Sequence, residues 1–482
     1  MRKSLLLAVL AVGLMAVPAF ASVQNIKVSG DIDSTYVYRD KFDLGDRRQS
    51  LQYEQSFLMT QTRLRVDADL TDSVMTTVAL INERVWDEEL NNVGGASGTD
   101  EGANDIDINL AYVTLREMLY SPLTVVIGRQ NFAYGNSFVI DSAGTNNVIS
   151  DGGLNGVAED LSKRTSLDAV RMILDYNPLT VDLVAAKVDA NNLAGTGAHR
   201  DDVNLFGINT NWQLGDSMDS VLEAYFWSKI DQGAGITNPG DKSDTVYVPG
   251  LHASTNPIKG LNLQSEIAWQ FGNKTDTASV AAPDNVRRRA LGFEAIASYA
   301  LPFEKTAKWN PVVSAVYSYT SGDSNPTEPG TAGGDDTYTA WDPMFENQGS
   351  GAIYNTLFDL TNSHIFIAKG QVNPIEDVTA SFTWTTMWLD KEVNNGAGGN
   401  CGGVNGPAPC AFTMRQPDGS TLNPRVTSND KIGDEFGIAL AYDYTEDVRF
   451  GARMDWFRPG DFFHSDNDES ATQFLLNGIV SF

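Results

Sequence analysis

A chain of 482 residues carrying 62 acidic and 34 basic side chains has a formal net charge of −28. Little on such a surface would attract phosphate, which argues against nucleic acid as a partner. Apolar and aromatic residues are plentiful and evenly spread, so the acidity does not mark a disordered polyelectrolyte.

The chain opens with Arg2 and Lys3, an apolar run from Leu5 to Val17, and Ala19-Phe20-Ala21 before Ser22. This pattern predicts a secretory signal peptide over 1–21, leaving 22–482 as the mature protein, with no Cys after the cut to carry a lipid anchor. Beyond it no stretch reaches the ~20 apolar residues that a spanning helix needs. The exported chain is therefore soluble or crosses a membrane as a barrel. Cys401 and Cys410 lie close together in a Gly/Pro-rich segment, and in an exported protein they predict a local disulfide. Two Cys without a nearby His do not complete a zinc site, so no metal is expected there.

From "NIKVSGDIDSTYVYR" onward the chain alternates. Ile26, Val28, Ile32, Tyr36 and Tyr38 share one parity, opposed by Lys27, Asp31, Asp33 and Arg39. "GLNLQSEIAWQFG", "DVTASFTWTTMW" and "DVRFGARMDWF" repeat the pattern, and "ATQFLLNGIVSF" closes on it at Phe482. Such segments run longer than the five or six residues usual in soluble sheets. Short turns recur at Thr71-Asp72, Ser121-Pro122, Asn177-Pro178, Gly215-Asp216, Asn256-Pro257, Asn373-Pro374 and Thr445-Glu446, where Pro and Gly end strands. Between them lie long, acidic segments: 40–55, 88–105, 134–162, 189–202, 231–244, 273–286, 321–362, 392–430 and 459–471. Strict alternation of short and long connections puts every long loop at one end. That predicts an all-β, antiparallel up-and-down transmembrane barrel of about 18 strands, with short periplasmic turns and long extracellular loops. Strands are expected to begin near Ile26, Leu58, Val74, Ile106, Leu123, Thr165, Val181, Leu205, Val221, Val246, Leu261, Leu291, Val312, Ile365, Val378, Ile432, Val448 and Thr472. The outward aromatics, Trp212, Trp269, Trp384, Trp388, Tyr442 and Trp456 among them, read as interfacial girdles, and a terminal Phe resembles the ending that such barrels present to the barrel-assembly machinery.

A barrel of this size encloses an aqueous channel whose selectivity is set by inward charges. Parity places Arg63 and Arg65 inside with Asp67 and Asp69, and Arg449 and Arg453 inside with Asp447 and Asp455. Glu266 lies on the polar face of its own strand, and Arg288 and Glu294 share another inward face. Arg129 in "LTVVIGRQ" and Arg171 in "DAVRMIL" sit in nearly continuous apolar runs. Both are assigned inward because a charge facing lipid at mid-span costs roughly 2–4 kcal/mol. Two roles remain open for these residues: a selectivity ladder for an anion, or ion pairs that brace the wall. The segment from Asp141 to Gly156 either folds into the lumen as a constriction or lies outside.

The ordered series "RLRVDADLTDSVMTTVALINERVW", "AYVTL", "GRQNFAYGN", "LDAVRM", "TAWDPMF" and "IGDEFGIALAYDYTEDVRFGARMDWFRPGDFF" resembles the alginate export family of outer-membrane porins over nearly the whole mature chain. The resemblance implies a monomeric eighteen-stranded barrel, embedded among lipids and lipopolysaccharide, whose arginine-rich lumen conducts an anionic polysaccharide. Carried over, the pore arginines are Arg65, Arg129, Arg171, Arg449 and Arg453. The longest short-side turn is only Leu301 to Asn310, which favours an open or loop-gated porin over an exporter with a covered periplasmic mouth.

Two other functions compete. A barrel sheathing a periplasmic electron-transfer or secretion partner would bring its cofactor with that partner, since the chain has no CxxCH. A hydrolase would need a nucleophile beside a base, yet His199, His252, His364 and His464 are scattered and GxSxG and HExxH are absent, so no enzyme and no cofactor is expected.

Overall fold

A computed structural model describes residues 25–46, 53–86, 106–143, 154, 156–189, 203–232, 243–275, 285–301, 307–324, 337–347, 351–392 and 412–482. The expected signal peptide and the Cys401–Cys410 pair lie outside these residues. Eighteen antiparallel strands form a closed barrel. In chain order they are β1 (Asn25–Asp40), β2 (Glu54–Thr71), β3 (Val74–Val85), β4 (Asp107–Leu115), β5 (Leu123–Gln130), β6 (Leu167–Asp175), β7 (Leu179–Asp189), β8 (Val203–Gln213) and β9 (Val221–Asp231). The second half comprises β10 (Asp244–Ile258), β11 (Leu261–Thr275), β12 (Asn285–Ala300), β13 (Val312–Thr320), β14 (Ser363–Ile375), β15 (Val378–Leu389), β16 (Lys431–Asp443), β17 (Val448–Pro459) and β18 (Ala471–Ser481). β18 returns to β1 through a register from Asp40 opposite Thr472 to Asp31 opposite Ser481. Phe482 extends the seam by one rung, exchanging both backbone bonds with Gly30 at 2.9 and 3.0 Å. Closure leaves no strand edge in a medium that offers backbone amides no partner.

Most strand starts fall within two residues of their sequence positions. β2 and β12 begin earlier, at Glu54 and Asn285. In β12 the run Arg287-Arg288-Arg289 hides the apolar alternation, because this part of the strand stands beyond the greasy band that creates such a pattern. The outward parity is as read: Ile26, Leu64, Trp212, Trp269, Phe382, Tyr442 and Phe450 are exposed on the outer wall.

The inner wall carries large aromatics where a neighbouring strand supplies glycine. Trp227 is fully buried and lies opposite Gly207, where an added Cβ would fall 1.9 Å from the indole. Tyr225 covers Gly250 in the same way, at 2.2 Å. A flat ring over a glycine fills the inner surface without a void. Gly207→Val should therefore force Trp227 off its seat and cost about 1–3 kcal/mol, as overpacking does. The check is the urea midpoint of the refolded barrel, and a midpoint equal to wild type would refute this packing.

Candidate functional site: a partly filled, charged lumen

The extracellular half of the lumen holds a hydrophobic core made by the protein's own loops. Phe132, Phe138, Ile140, Trp341, Ile353, Leu357 and Phe462 are buried in one cluster with wall residues Val246, Ile365 and Phe457. The segment after β5 crosses the bore. Asn136 N–H donates to Glu266 on β11 at 2.7 Å, and Phe138 packs over Gly292 of β12, where a Cβ would come within 2.7 Å of its ring. Asp141 and its neighbours thus lie inside, Asp141 N–H donating to the Phe345 carbonyl at 2.6 Å. Leu154 and 156–162 also fold inward, Asp160 meeting Arg39 of β1 at 2.6 Å and Lys163 meeting Asp33 at 2.7 Å. Of the segment from Asp141 to Gly156, the described residues 141–143, 154 and 156 belong to the filled lumen.

A short helix, α1 (Ala352–Leu357), hangs from the wall by one carboxylate. Glu435 on β16 accepts N–H bonds from Ala352, Ile353 and Tyr354 at 2.6, 3.3 and 2.8 Å. These are free amides of a first helical turn, and a carboxylate is the natural acceptor for them. Ala352, Asn355 and Thr356, spaced three and four apart, line a cavity of about 510 Å³ below the helix. Tyr354, with Phe358 just beyond the helix, lines a second cavity of about 430 Å³ above it. Helix α1 is thus the partition between an inner and an outer chamber.

The outer chamber is walled by Lys229, Lys274, Arg288, Tyr338 and Asp342. Arg288 pairs with Asp244 at 2.8 Å, Lys274 with Asp244 at 2.9 Å, and Lys229 with Asp342 at 2.5 Å. Asp342 belongs to an inward loop. Burial alone would raise its pKa, but the adjacent Lys229 and Arg288 cations outweigh burial and bring it down from 3.8 to about 2.

The inner chamber opens on the periplasmic half and is lined by Lys369, Arg453, Ser314, Gln371, Ser381 and Thr383. Arg453 binds Asp455 at 2.8 Å, Arg65 binds Asp67 at 2.8 Å and Arg63 binds Asp31 at 2.7 Å, each guanidinium still about two-fifths exposed to the bore. Asp69 lies on the same inward file as Asp67, one rung nearer the periplasm. Lys369 forms no ion pair among the described residues. Sequence reading passed over Lys369 because "HIFIAKGQV" is apolar on both parities; the signal available was Gln371 two residues on, sharing its face.

Several assignments change. Arg129 points outward, not inward: it sits opposite Asp168, pairs with it at 3.0 Å, and shares its file with Ile127, which is exposed on the outer wall. A run apolar on both parities gave no basis for choosing a face, and the cost of an outward charge is small near the interface, where Asp168 also neutralises it. Arg171 faces inward and pairs with Asp182 of β7. Arg449 pairs with Asp443 at 2.6 Å rather than with Asp447, which lies in the turn. Arg288 takes Asp244 rather than Glu294. Glu294 is buried and accepts from Ser318 at 3.0 Å, and Glu266, also buried, accepts from Tyr225 at 2.7 Å. Neither glutamate serves an arginine; Glu266 holds the inward loop.

A closed eighteen-stranded barrel with a charged bore is an outer-membrane channel of the porin class. The chain belongs to the alginate export family, whose model matches residues 25–477. Solved structures share the fold. OccK3 (OpdO) of Pseudomonas aeruginosa superposes with a TM-score of 0.53 at 12% identity, covering 95% of this chain and 96% of that one. OccK2 (OpdF) of the same organism, solved in complex with glucuronate, gives 0.51 at 12% identity over 95% and 99%. OccK9 (OpdG) gives 0.53 at 11% identity over 95% and 99%. No curated protein matches the sequence.

Glu435→Ala should orphan the three amides of α1 at a cost of about 1–3 kcal/mol and loosen the partition. Conductance in planar bilayers is expected to rise, and an unchanged conductance would exclude α1 as a barrier. The Asp342 anchor has a depressed folded-state pKa, so its contribution to stability is complete above pH 3.8 and is lost as pH falls through about 2. Asp342→Asn should flatten the fall of the unfolding midpoint across that window; an acid profile identical to wild type refutes the anchor.

Proposed function

We propose that this channel passes carboxylated saccharides, alginate-like oligomers or shorter acidic sugars, by passive diffusion along a cationic track on the inner wall. The observation carrying this reading is Lys369, a luminal cation that forms no ion pair among the described residues, set beside Arg453 in a chamber that also presents hydroxyl and amide groups. A cation recognises the carboxylate of a uronate, and Ser314, Gln371, Ser381 and Thr383 suit its hydroxyls, which is the mixture that a hydrated acidic sugar exchanges for water. The paired arginines brace the wall and offer their remaining N–H groups to a passing anion, so both roles that the sequence left open fall to the same side chains. Family membership and the glucuronate held by OccK2 point toward the same ligand chemistry.

Passage of a solute, rather than catalysis, suits a chamber on the bore that sets cations among hydroxyl and amide groups. A sheath for a folded partner is disfavoured because the protein's own loops already occupy the outer half of the bore. Mature residues 22–482 would then act after removal of 1–21, as one barrel without cofactor.

Reversing the charge at Lys369 with Lys369→Glu should convert anion preference toward cation preference and abolish block by glucuronate or short uronate oligomers. Lys369→Arg should keep both. The measurement is the reversal potential and the block in planar bilayers under a salt gradient. Wild-type selectivity in Lys369→Glu would sink the proposal.

A further inference from the structure

Arg287 and Arg289 are both exposed on the outer wall at the extracellular end of β12, with Arg288 between them turned into the bore. Among the described residues neither forms an ion pair. Two other outward cations on the wall do have partners: Arg129 is neutralised by Asp168, and Lys187 donates to Asn204 at 2.9 Å. The two guanidiniums are two residues apart on one face of a strand, so their Cα atoms stand about 7 Å apart.

Their depth follows from their neighbours. Arg289 lies opposite Phe271, which is exposed and packs against Phe226 and Tyr247 with ring centroids 6.4 and 5.4 Å apart. An outward cluster of three aromatic rings marks the boundary between hydrocarbon and headgroups. Arg287 is two residues further toward the long-loop end, flanked by Asn273 on β11 and by Thr337, whose short segment runs parallel to β12. At this level an outward arginine costs little in solvation, and two that form no ion pair among the described residues present N–H donors to the outer leaflet. The anions held at this depth of an outer membrane are the phosphates of lipopolysaccharide. Arginine meets phosphate through two parallel N–H bonds, and Asn273 and Thr337 add neutral donors for the sugar or phosphate oxygens.

We propose that Arg287 and Arg289, with Asn273 and Thr337 beside them, form a docking site for the phosphorylated headgroup of one lipopolysaccharide molecule on the face of β11–β12. The site is independent of the solute reading, because it faces away from the bore. Thermal unfolding of the refolded full barrel in detergent tests it, with diphosphoryl lipid A, dephosphorylated lipid A or inorganic phosphate added separately. Diphosphoryl lipid A is expected to raise the wild-type midpoint, whereas the other two leave it unchanged. Arg287→Gln with Arg289→Gln should abolish the rise, and the double Lys variant should retain part of it, separating lost phosphate binding from a folding defect. An equal rise in the double Gln variant overturns the proposal. So does a rise that survives dephosphorylation, or one given by inorganic phosphate alone, which would mark a free-anion site instead.

Discussion

Closure of the sheet is the constraint from which the rest of this molecule follows. Lipid offers no partner to an amide or a carbonyl, so β18 must complete β1, and Phe482 adds the last rung at Gly30. Once the cylinder is shut, the side-chain period of two assigns every residue of every strand to grease or to the bore. The alternation that exposes Trp269 buries Gln270 beside it, and the parity that exposes Ile127 turns Arg129 outward with it.

That assignment was legible wherever one parity was polar. Eighteen strands, their order and most of their starts could be read because lipid selects apolar residues on alternate positions and because turns carry Pro, Gly and Asp. Legibility failed at two kinds of place. Where both parities are apolar, as around Arg129 and just before Lys369, the pattern has no phase; inward Ile365 and Ile367, for example, pack into the loop core, so their parity is as apolar as the outward one. Where a strand rises above the hydrocarbon, as at Arg287-Arg288-Arg289, the apolar member of the alternation disappears although the backbone ladder continues. The ion-pair partners were legible only in part. Asp67 and Asp455 lie on the same strand as their arginines, whereas Asp31, Asp182 and Asp443 come from neighbouring strands and Asp244 from two strands away, and sequence distance says nothing about which rung they occupy.

The filled outer half of the bore could not be foreseen from periodicity, because the loops that enter it have none. What holds them is a set of wall groups that look, in sequence, like channel lining. Glu266, Glu435 and Asp33 each spend their acceptors on an inward loop: backbone amides for the first two, Lys163 for the third. Burying such carboxylates is tolerable because their lone pairs are matched by several donors at once. Acidic residues therefore serve as fasteners here, while the exposed ends of Arg63, Arg65 and Arg453, together with Lys369, give the periplasmic half its electrostatic character.

Helix α1 has a further consequence through its two faces. Asn355 and Thr356 look into one chamber, while Tyr354 looks into the other. A change on either side alters the shape of a single compartment and leaves its counterpart intact. Six residues hung from one wall glutamate thus let two successive chambers diverge separately, without any alteration to the cylinder that carries them.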